Sequence, residues 1–262
     1  MTKKTNHLPP VIFIHGMWCN HEAWYNFQPA FERAGFRTYA PVLRHHDMEP
    51  GTVPPAALGA TSLRDYVNDL MTFIDTLGEK PVLVGHSMGG LLAQILAARG
   101  IAKAAVLLAP AAPAGIFAIR PGTIRIFAPL MLRWGFWRKP TFPSYRGVRW
   151  GVLSEMREIE ARVLYSLMVA ESGRATAEIA FWFFDRQKAS AAPVKDVRCP
   201  LLVIAGSKDR ITPAAICRKV AQRYGKWADY KEYTAHAHWL PGEPGWEDIA
   251  QTCIEWVKEK AN

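Results

Sequence analysis

Three side chains far apart in the chain would together perform acyl transfer: a serine, an acid and a histidine. Ser87 lies in Gly85-His86-Ser87-Met88-Gly89, after the apolar run Pro81–Val84 and before an apolar segment that starts near Leu91. A serine hydroxyl is a weak nucleophile at neutral pH. It needs a base within hydrogen-bond reach, and the base needs an acid to orient it. A nucleophile perched between strand and helix also needs small residues two positions either side, which Gly85 and Gly89 supply. Met88 then offers its N–H at a helix start, where partial positive charge favours a developing oxyanion.

In a parallel sheet the loops after the strand C-termini converge on one edge, so the acid and base are sought just past strands. Leu201-Leu-Val-Ile-Ala-Gly-Ser-Lys-Asp209 puts Asp209 in such a place. Asp229 precedes its strand, and Asp185 lies in an irregular region, so both are weaker candidates. His236 and His238 both follow the strand Tyr230–Tyr233, and their shared parity leaves the choice between them open.

The elements that must position these residues read as alternating strands and helices. Val11–Ile14 is a buried strand closed by His15-Gly16, Glu22–Ala34 a helix, and Phe36–Ala40 a second strand. A long helix carries Leu63, Tyr66, Val67, Leu70, Met71, Ile74 and Leu77 at helical spacing and stops at Gly78. The strand 81–84, a helix Leu91–Arg99 and a strand Ala104–Ala109 follow. After Pro200 the rhythm resumes with a strand Leu201–Ala205, a helix Ala214–Arg223, a strand Tyr230–Tyr233 and a last helix carrying Trp246, Ile249, Cys253, Ile254 and Val257. Strands separated by helices predict an α/β protein with a mainly parallel sheet covered on both faces. Between the two halves, residues 111–195 show no such alternation. This stretch, with helical stripes at Glu155–Val169 and Ala175–Asp185, reads as a helical cap inserted into a core of residues 1–110 and 196–262.

The order Ser87, Asp209, His238 resembles the α/β-hydrolase family. His15-Gly16-Met17-Trp18 is similar to that family's oxyanion segment, Gly85–Gly89 to its nucleophile elbow, Gly206-Ser-Lys-Asp209-Arg-Ile-Thr-Pro to its acid loop, and His238-Trp239 to its base loop. The resemblance spans essentially the whole chain, with 111–195 as the variable lid, and it favours His238 as the base. Ala237 departs from the family, where a glycine often precedes that histidine. The resemblance implies a serine esterase or lipase-like enzyme, with Ser87 as nucleophile, His238 as general base and acid, Asp209 as orienting acid, and the Met17 and Met88 amides as the oxyanion hole. The same triad also serves C–C bond hydrolases and thioesterases. The fold also hosts cofactor-free dioxygenases and small-ligand receptors that keep the triad. His15 and His86 are expected to brace their loops.

Trp18, Phe181, Trp182 and Trp239 are the candidate substrate-binding side chains, and the expected substrate is a hydrophobic or amphiphilic ester. Arg120, Arg125, Arg133, Arg138, Lys139, Arg146 and Arg149 are interleaved with Phe127, Leu130, Trp134, Phe136 and Trp137, which suggests weak contact with a membrane surface. The net charge of +9 does not indicate nucleic acid, because the basic residues are dispersed and no standard binding motif is present. Cys19, Cys199, Cys217 and Cys253 lack metal-ligand or disulfide spacing, and only Cys19 lies near the site. His45-His46-Asp47 is read as structural, so neither a metal nor a cofactor is expected. The polar start Met1-Thr-Lys-Lys-Thr-Asn-His has no apolar leader segment, which points to the cytoplasm. Oligomeric state is unreadable from the sequence.

Overall fold

The computed structural model describes residues 7–261; the polar stretch Met1 to Asn6 lies outside the described residues. In chain order the strands are β1 (Val11–Ile14), β2 (Thr38–Tyr39), β3 (Val82–His86), β4 (Ala104–Leu108), β5 (Pro140–Thr141), β6 (Glu171–Ser172), β7 (Leu201–Gly206) and β8 (Ala228–Tyr233). Six of them form one sheet in the order β2-β1-β3-β4-β7-β8, and every neighbouring pair is parallel. The helices are α1 (Phe27–Arg33), α2 (Leu63–Asp75), α3 (Met88–Ala98), α4 (Pro121–Met131), α5 (Tyr145–Gly151), α6 (Glu158–Ser166), α7 (Gly173–Ala180), α8 (Ala214–Tyr224) and α9 (Trp246–Lys260). No helix among the described residues is long and apolar enough to cross a membrane.

The sheet is sandwiched because its strands are apolar on both faces. Alternate residues separate cleanly. Phe13, Val84, Val106 and Ile204 join a core with α1 and α9. Ile12, Ile14, Leu83, Leu107 and Val203 join another with α2, α3 and α8. The chain leaves β1 toward β2 on one side and returns to β3 on the other. The order reverses between β1 and β3, where an open parallel sheet leaves a crevice at its C-terminal edge. Ile14 of β1 is in register with Gly85 of β3, so the loops after these two strands share that crevice.

Several expected elements differ: the strand over 36–40 contracts to the two residues of β2, and the helix over 91–99 starts earlier, at Met88. The single helix over 22–34 is split into a 3-10 turn, His21–Trp24, and α1. Asn20 caps the turn through Glu22 N (2.9 Å). Pro29, which has no N–H to donate, is accommodated in the first turn of α1 instead of a helix interior. The helix over 175–185 ends at Ala180 and starts earlier, because Ser172 caps its N-terminus through Ala175 N (3.2 Å). Asp185 instead accepts the Gln187 and Ala189 amides of the following turn. The stripe over 155–169 contracts to α6, which buries Ala161 and leaves Ile159 and Val163 exposed.

The segment between β4 and β7 holds α4 to α7 and a short antiparallel pair, β5 with β6. Two buried carboxylates fasten it to the rest. Glu178 of α7 accepts Ser62 Oγ (2.8 Å) and Leu63 N (2.8 Å), so it sits at the positive N-terminus of α2. Glu171 of β6 accepts the Tyr66 hydroxyl (2.7 Å), its neighbour Ser172 N (2.6 Å) and His46 Nε2 (3.1 Å). His46 Nδ1 faces the Arg44 carbonyl at 3.0 Å, so both ring nitrogens meet acceptors. Burial alone would push the His46 pKa down, but the charge and hydrogen bond of Glu171 outweigh it and hold the imidazole above its ordinary 6.5.

Both partners are fully buried, and removing one strands the other's charge. His46→Ala is therefore expected to cost about 3–5 kcal/mol of stability, read by denaturant unfolding. Because the folded-state pKa is raised, the pair's contribution is complete below about pH 6.5 and is lost as pH rises through the folded value. That pH-dependent component should be missing from the variant.

Candidate active site

The turn from β3 into α3 is the tightest part of the site. Ser87 has φ 53° and ψ −116°, a region that L-residues rarely adopt. The conformation is held by contact on both sides. A Cβ on Gly85 would collide with the Gly89 carbonyl, and one on Gly89 would overlap the Ile14 carbonyl of β1. The two small residues thus let α3 press directly on the sheet and leave the Ser87 side chain facing out. Met88 opens α3, so its N–H belongs to the amides at a helix start that have no partner within the helix.

Ser87 Oγ lies 3.1 Å from His238 Nε2, and His238 Nδ1 lies 2.8 Å from Asp209 Oδ2. The three residues follow β3, β8 and β7. Asp209 is held by more than the imidazole. Its Oδ1 accepts the Ile211 and Thr212 amides (2.7 and 2.9 Å), and the Thr212 hydroxyl lies between its Oδ2 (2.8 Å) and the Ala109 carbonyl (2.9 Å). Burial alone would raise the Asp209 pKa. The charge and hydrogen bond of His238 and these two amides overcome that and hold the carboxyl below its usual range. It is a buried carboxylate kept ionised beside a histidine, the arrangement that fixes a tautomer and stabilises an imidazolium. His236 packs instead against Tyr233, with ring centroids 5.5 Å apart, and under Gly245. Asp229 accepts the Trp256 indole N–H at 2.7 Å, and Asp185 caps its turn, so neither rival acid approaches Ser87.

Other groups hold the histidine from behind. His86 donates from Nε2 to the His238 carbonyl (2.8 Å), and burial, reinforced by His238, lowers its pKa to about 3, so it stays neutral. His15 accepts the Leu43 N–H at Nε2 (3.2 Å) and faces the Gly16 carbonyl through Nδ1 (3.0 Å). Burial, with His46, lowers its pKa to about 3 as well, so it braces the β1 loop as a neutral ring. Glu243 is the residue that sequence reasoning missed. It is fully buried, and its two oxygens accept the Ala237 and Trp239 amides (2.7 and 2.9 Å), the two residues that flank His238. Burial pushes its carboxyl up to about 7 against the pull of those amides. No periodic pattern marks a loop glutamate five residues past the histidine.

A cavity of about 260 Å³ opens beside Ser87, and no charged side chain lines it. Met17 and Met88 line it together with Ser87, and so do Phe181 and Trp182. Trp18 and Trp239 do not. Both are buried and face a smaller pocket with Cys19, Leu164 and Met168. Trp18 sits in a left-handed turn (φ 61°), and its ring stacks on Phe127 of α4 with centroids 5.3 Å apart. Cys19 belongs to that smaller pocket too, with burial raising its thiol to about 12. One wall of the main cavity comes from α4, which the sequence reading left irregular: Thr123, Ile124, Phe127, Ala128 and Met131 all face it. Their helical spacing and Pro121 at the helix start were the available signal; Pro129 inside the helix obscured it. Among the described residues no group of three or more histidine, cysteine or carboxylate side chains is placed to hold a metal. His46, from the His45-His46-Asp47 run, is committed to Glu171.

The sequence profile of the alpha/beta hydrolase family matches residues 11–251. The chain is 29% identical to the non-heme chloroperoxidase CPO-A1 of Kitasatospora aureofaciens, over 90% of this chain and 87% of that protein. Its fold is similar to the crystal structure of a monoacylglycerol lipase from Paleococcus ferrophilus (TM-score 0.69, 22% identity, 95% of each chain). It is also similar to the esterase EaEST from Exiguobacterium antarcticum (TM-score 0.72, 18% identity, 95% of this chain and 92% of that one).

Glu243→Gln would replace one acceptor oxygen with an amide group facing an N–H. An unmet buried donor costs about 1–3 kcal/mol, so stability is expected to fall by that amount, and kcat on a small ester is expected to fall with KM little changed as the loop carrying His238 loosens. Steady-state kinetics alongside thermal unfolding would separate this loss from a folding defect.

Proposed function

The chain belongs to the alpha/beta hydrolase family, and we propose that it is a serine hydrolase acting on uncharged carboxylic esters with an apolar acyl or alcohol group. The observation that carries this reading is the continuous hydrogen-bonded line from Ser87 Oγ through His238 to Asp209. The residues 111–195 serve as its cap. The esterase and lipase among its structural neighbours support an ester substrate.

Ser87 Oγ attacks the carbonyl carbon while its proton passes to His238 Nε2. Asp209 holds the ring with Nδ1 protonated and balances the imidazolium. The carbonyl oxygen, now carrying negative charge, accepts the Met17 and Met88 amides. One such donor is worth about 2.7–4 kcal/mol in the transition state. Collapse breaks the bond to the alcohol oxygen, which takes the proton from His238 and leaves Ser87 acylated. Water then gives a proton to His238 and attacks the acyl carbon; the acid departs, and Ser87 recovers its proton. Met17, Met88 and Ser87 line an apolar cavity, so the non-reacting part of the substrate is held by burial and not by charge. A substrate with a carboxylate in that part would leave it unpaired and is expected to be a poor one.

A series of p-nitrophenyl esters of increasing chain length tests the reading. Wild type should turn them over and carry a fluorophosphonate label at Ser87. Ser87→Ala should lose the label and lower kcat by about 10⁶-fold. Asp209→Asn should lower kcat by about 10⁴-fold. Equal activity of wild type and Ser87→Ala would refute the nucleophile. Tight binding of a small ligand without ester turnover would make the protein a receptor instead.

A further inference from the structure

The cavity does not end in ordinary polar surface. Phe117, Ile119 and Ile124 line it and are also 61%, 46% and 52% exposed, so they form its mouth. Aromatic rings continue outward from there. Phe117 lies 5.8 Å from Phe183, which lies 4.6 Å from Phe184. In the other direction Phe183 reaches Phe181 (6.4 Å), and the buried ring of Phe136 joins Phe181 (6.4 Å) to Trp137 (5.6 Å), which meets Trp134 (5.4 Å). At the extremes Phe184, Leu132 and Trp134 are 78%, 84% and 85% exposed. Single exposed apolar side chains are common, but a connected patch around a cavity mouth marks a contact surface.

The charge on this face identifies the partner. The sequence has no Asp or Glu between Glu79 and Glu155, while Arg120, Arg125, Arg133, Arg138, Lys139, Arg146 and Arg149 fall within that interval. Of these seven, only Arg149 meets a carboxylate among the described residues, Glu158. Arg120, Arg133 and Arg138 are exposed. A second copy of the chain would complement the face poorly, because two-fold pairing would set arginines against arginines.

We propose that this face docks on anionic lipid. Leu132, Trp134 and Phe184 enter the headgroup layer, Arg133 and Arg138 pair with lipid phosphates, and the mouth of the Ser87 cavity opens into the acyl region. An amphiphilic ester would then pass from lipid to Ser87 without crossing water.

Sedimentation of full-length Ser87→Ala protein with phosphatidylcholine vesicles, with and without phosphatidylglycerol, tests this. Binding is read without turnover, so its failure and the failure of the serine hydrolase reading are separate results. Binding should require phosphatidylglycerol and weaken with added salt. Arg133→Ser with Arg138→Ser should weaken it by about 25-fold, at about fivefold for each charge removed. Leu132→Ser with Trp134→Ser should also weaken it. In the Ser87-containing protein, both pairs of substitutions should leave turnover of a short soluble ester unchanged. Absent binding, equal binding to both vesicle types, or binding untouched by either pair would overturn the proposal. So would a dimer in solution that buries Trp134.

Discussion

The close approach of α3 to the sheet is the constraint on which the rest of the structure depends. Because Gly89 lies against the Ile14 carbonyl and Gly85 against Gly89, the first turn of α3 cannot retreat. Ser87 is therefore held in a backbone region that would relax in a free chain. The strain is borne by the apolar burial of α3 between the sheet and α2. In return the hydroxyl, the helix-start amide and the loop after β1 meet at one place. The parallel order around β3 does the rest: β1 lies on one side, β4, β7 and β8 on the other, and each neighbouring strand ends at the same edge.

Buried carboxylates are the second theme, and each is satisfied by main-chain donors. Asp209 takes two amides as well as His238, Glu243 takes the two amides around His238, Glu178 takes the Leu63 amide, and Glu171 takes that of Ser172. A carboxylate with rigid amide partners fixes loops in a way that apolar packing does not, because it specifies direction as well as proximity. His238 illustrates this. Its ring is aligned by Asp209 in front, its carbonyl by His86, and the amides on either side of it by Glu243. Thr212 ties the acid loop to the end of β4 through the Ala109 carbonyl, so the acid is referenced to the same sheet edge as the nucleophile.

The parts legible in the sequence are those with local signatures. The strands announced themselves by short apolar runs, and α2 by its stripe and the Gly78 stop. The elbow was legible through its glycines and Asp209 through its place after a strand, whereas place after a strand left His238 paired with His236 and only the family resemblance favoured it. What stayed hidden depends on contacts between distant residues. His46 and Glu171 are 125 positions apart, and nothing near either one indicates a buried pair. Glu243 reads as an ordinary loop acid until the fold closes over it. Trp18 and Trp239 were misplaced for the opposite reason: adjacency to Met17 and His238 does not carry a side chain to the same side, and both turn into the smaller pocket. In the segment between β4 and β7, α6 shows a stripe that tertiary packing leaves partly in solvent.

The fasteners of residues 111–195 bear on how such a protein diversifies. The reacting groups belong to loops rooted in the parallel sheet, whereas most of the cavity wall belongs to one uninterrupted stretch of chain. That division invites exchange of the whole stretch between relatives, by evolution or by an engineer building chimaeras. The graft, however, would not travel alone. Its Glu171 and Glu178 land on His46, Tyr66 and Ser62, all contributed by the recipient. A transplanted stretch without matching landing residues would carry two carboxyl groups into a buried seam without their partners. Compatibility between donor and host is thus written at three positions before α3 begins, and those positions are the ones to match first when inheritance of specificity is traced or imposed.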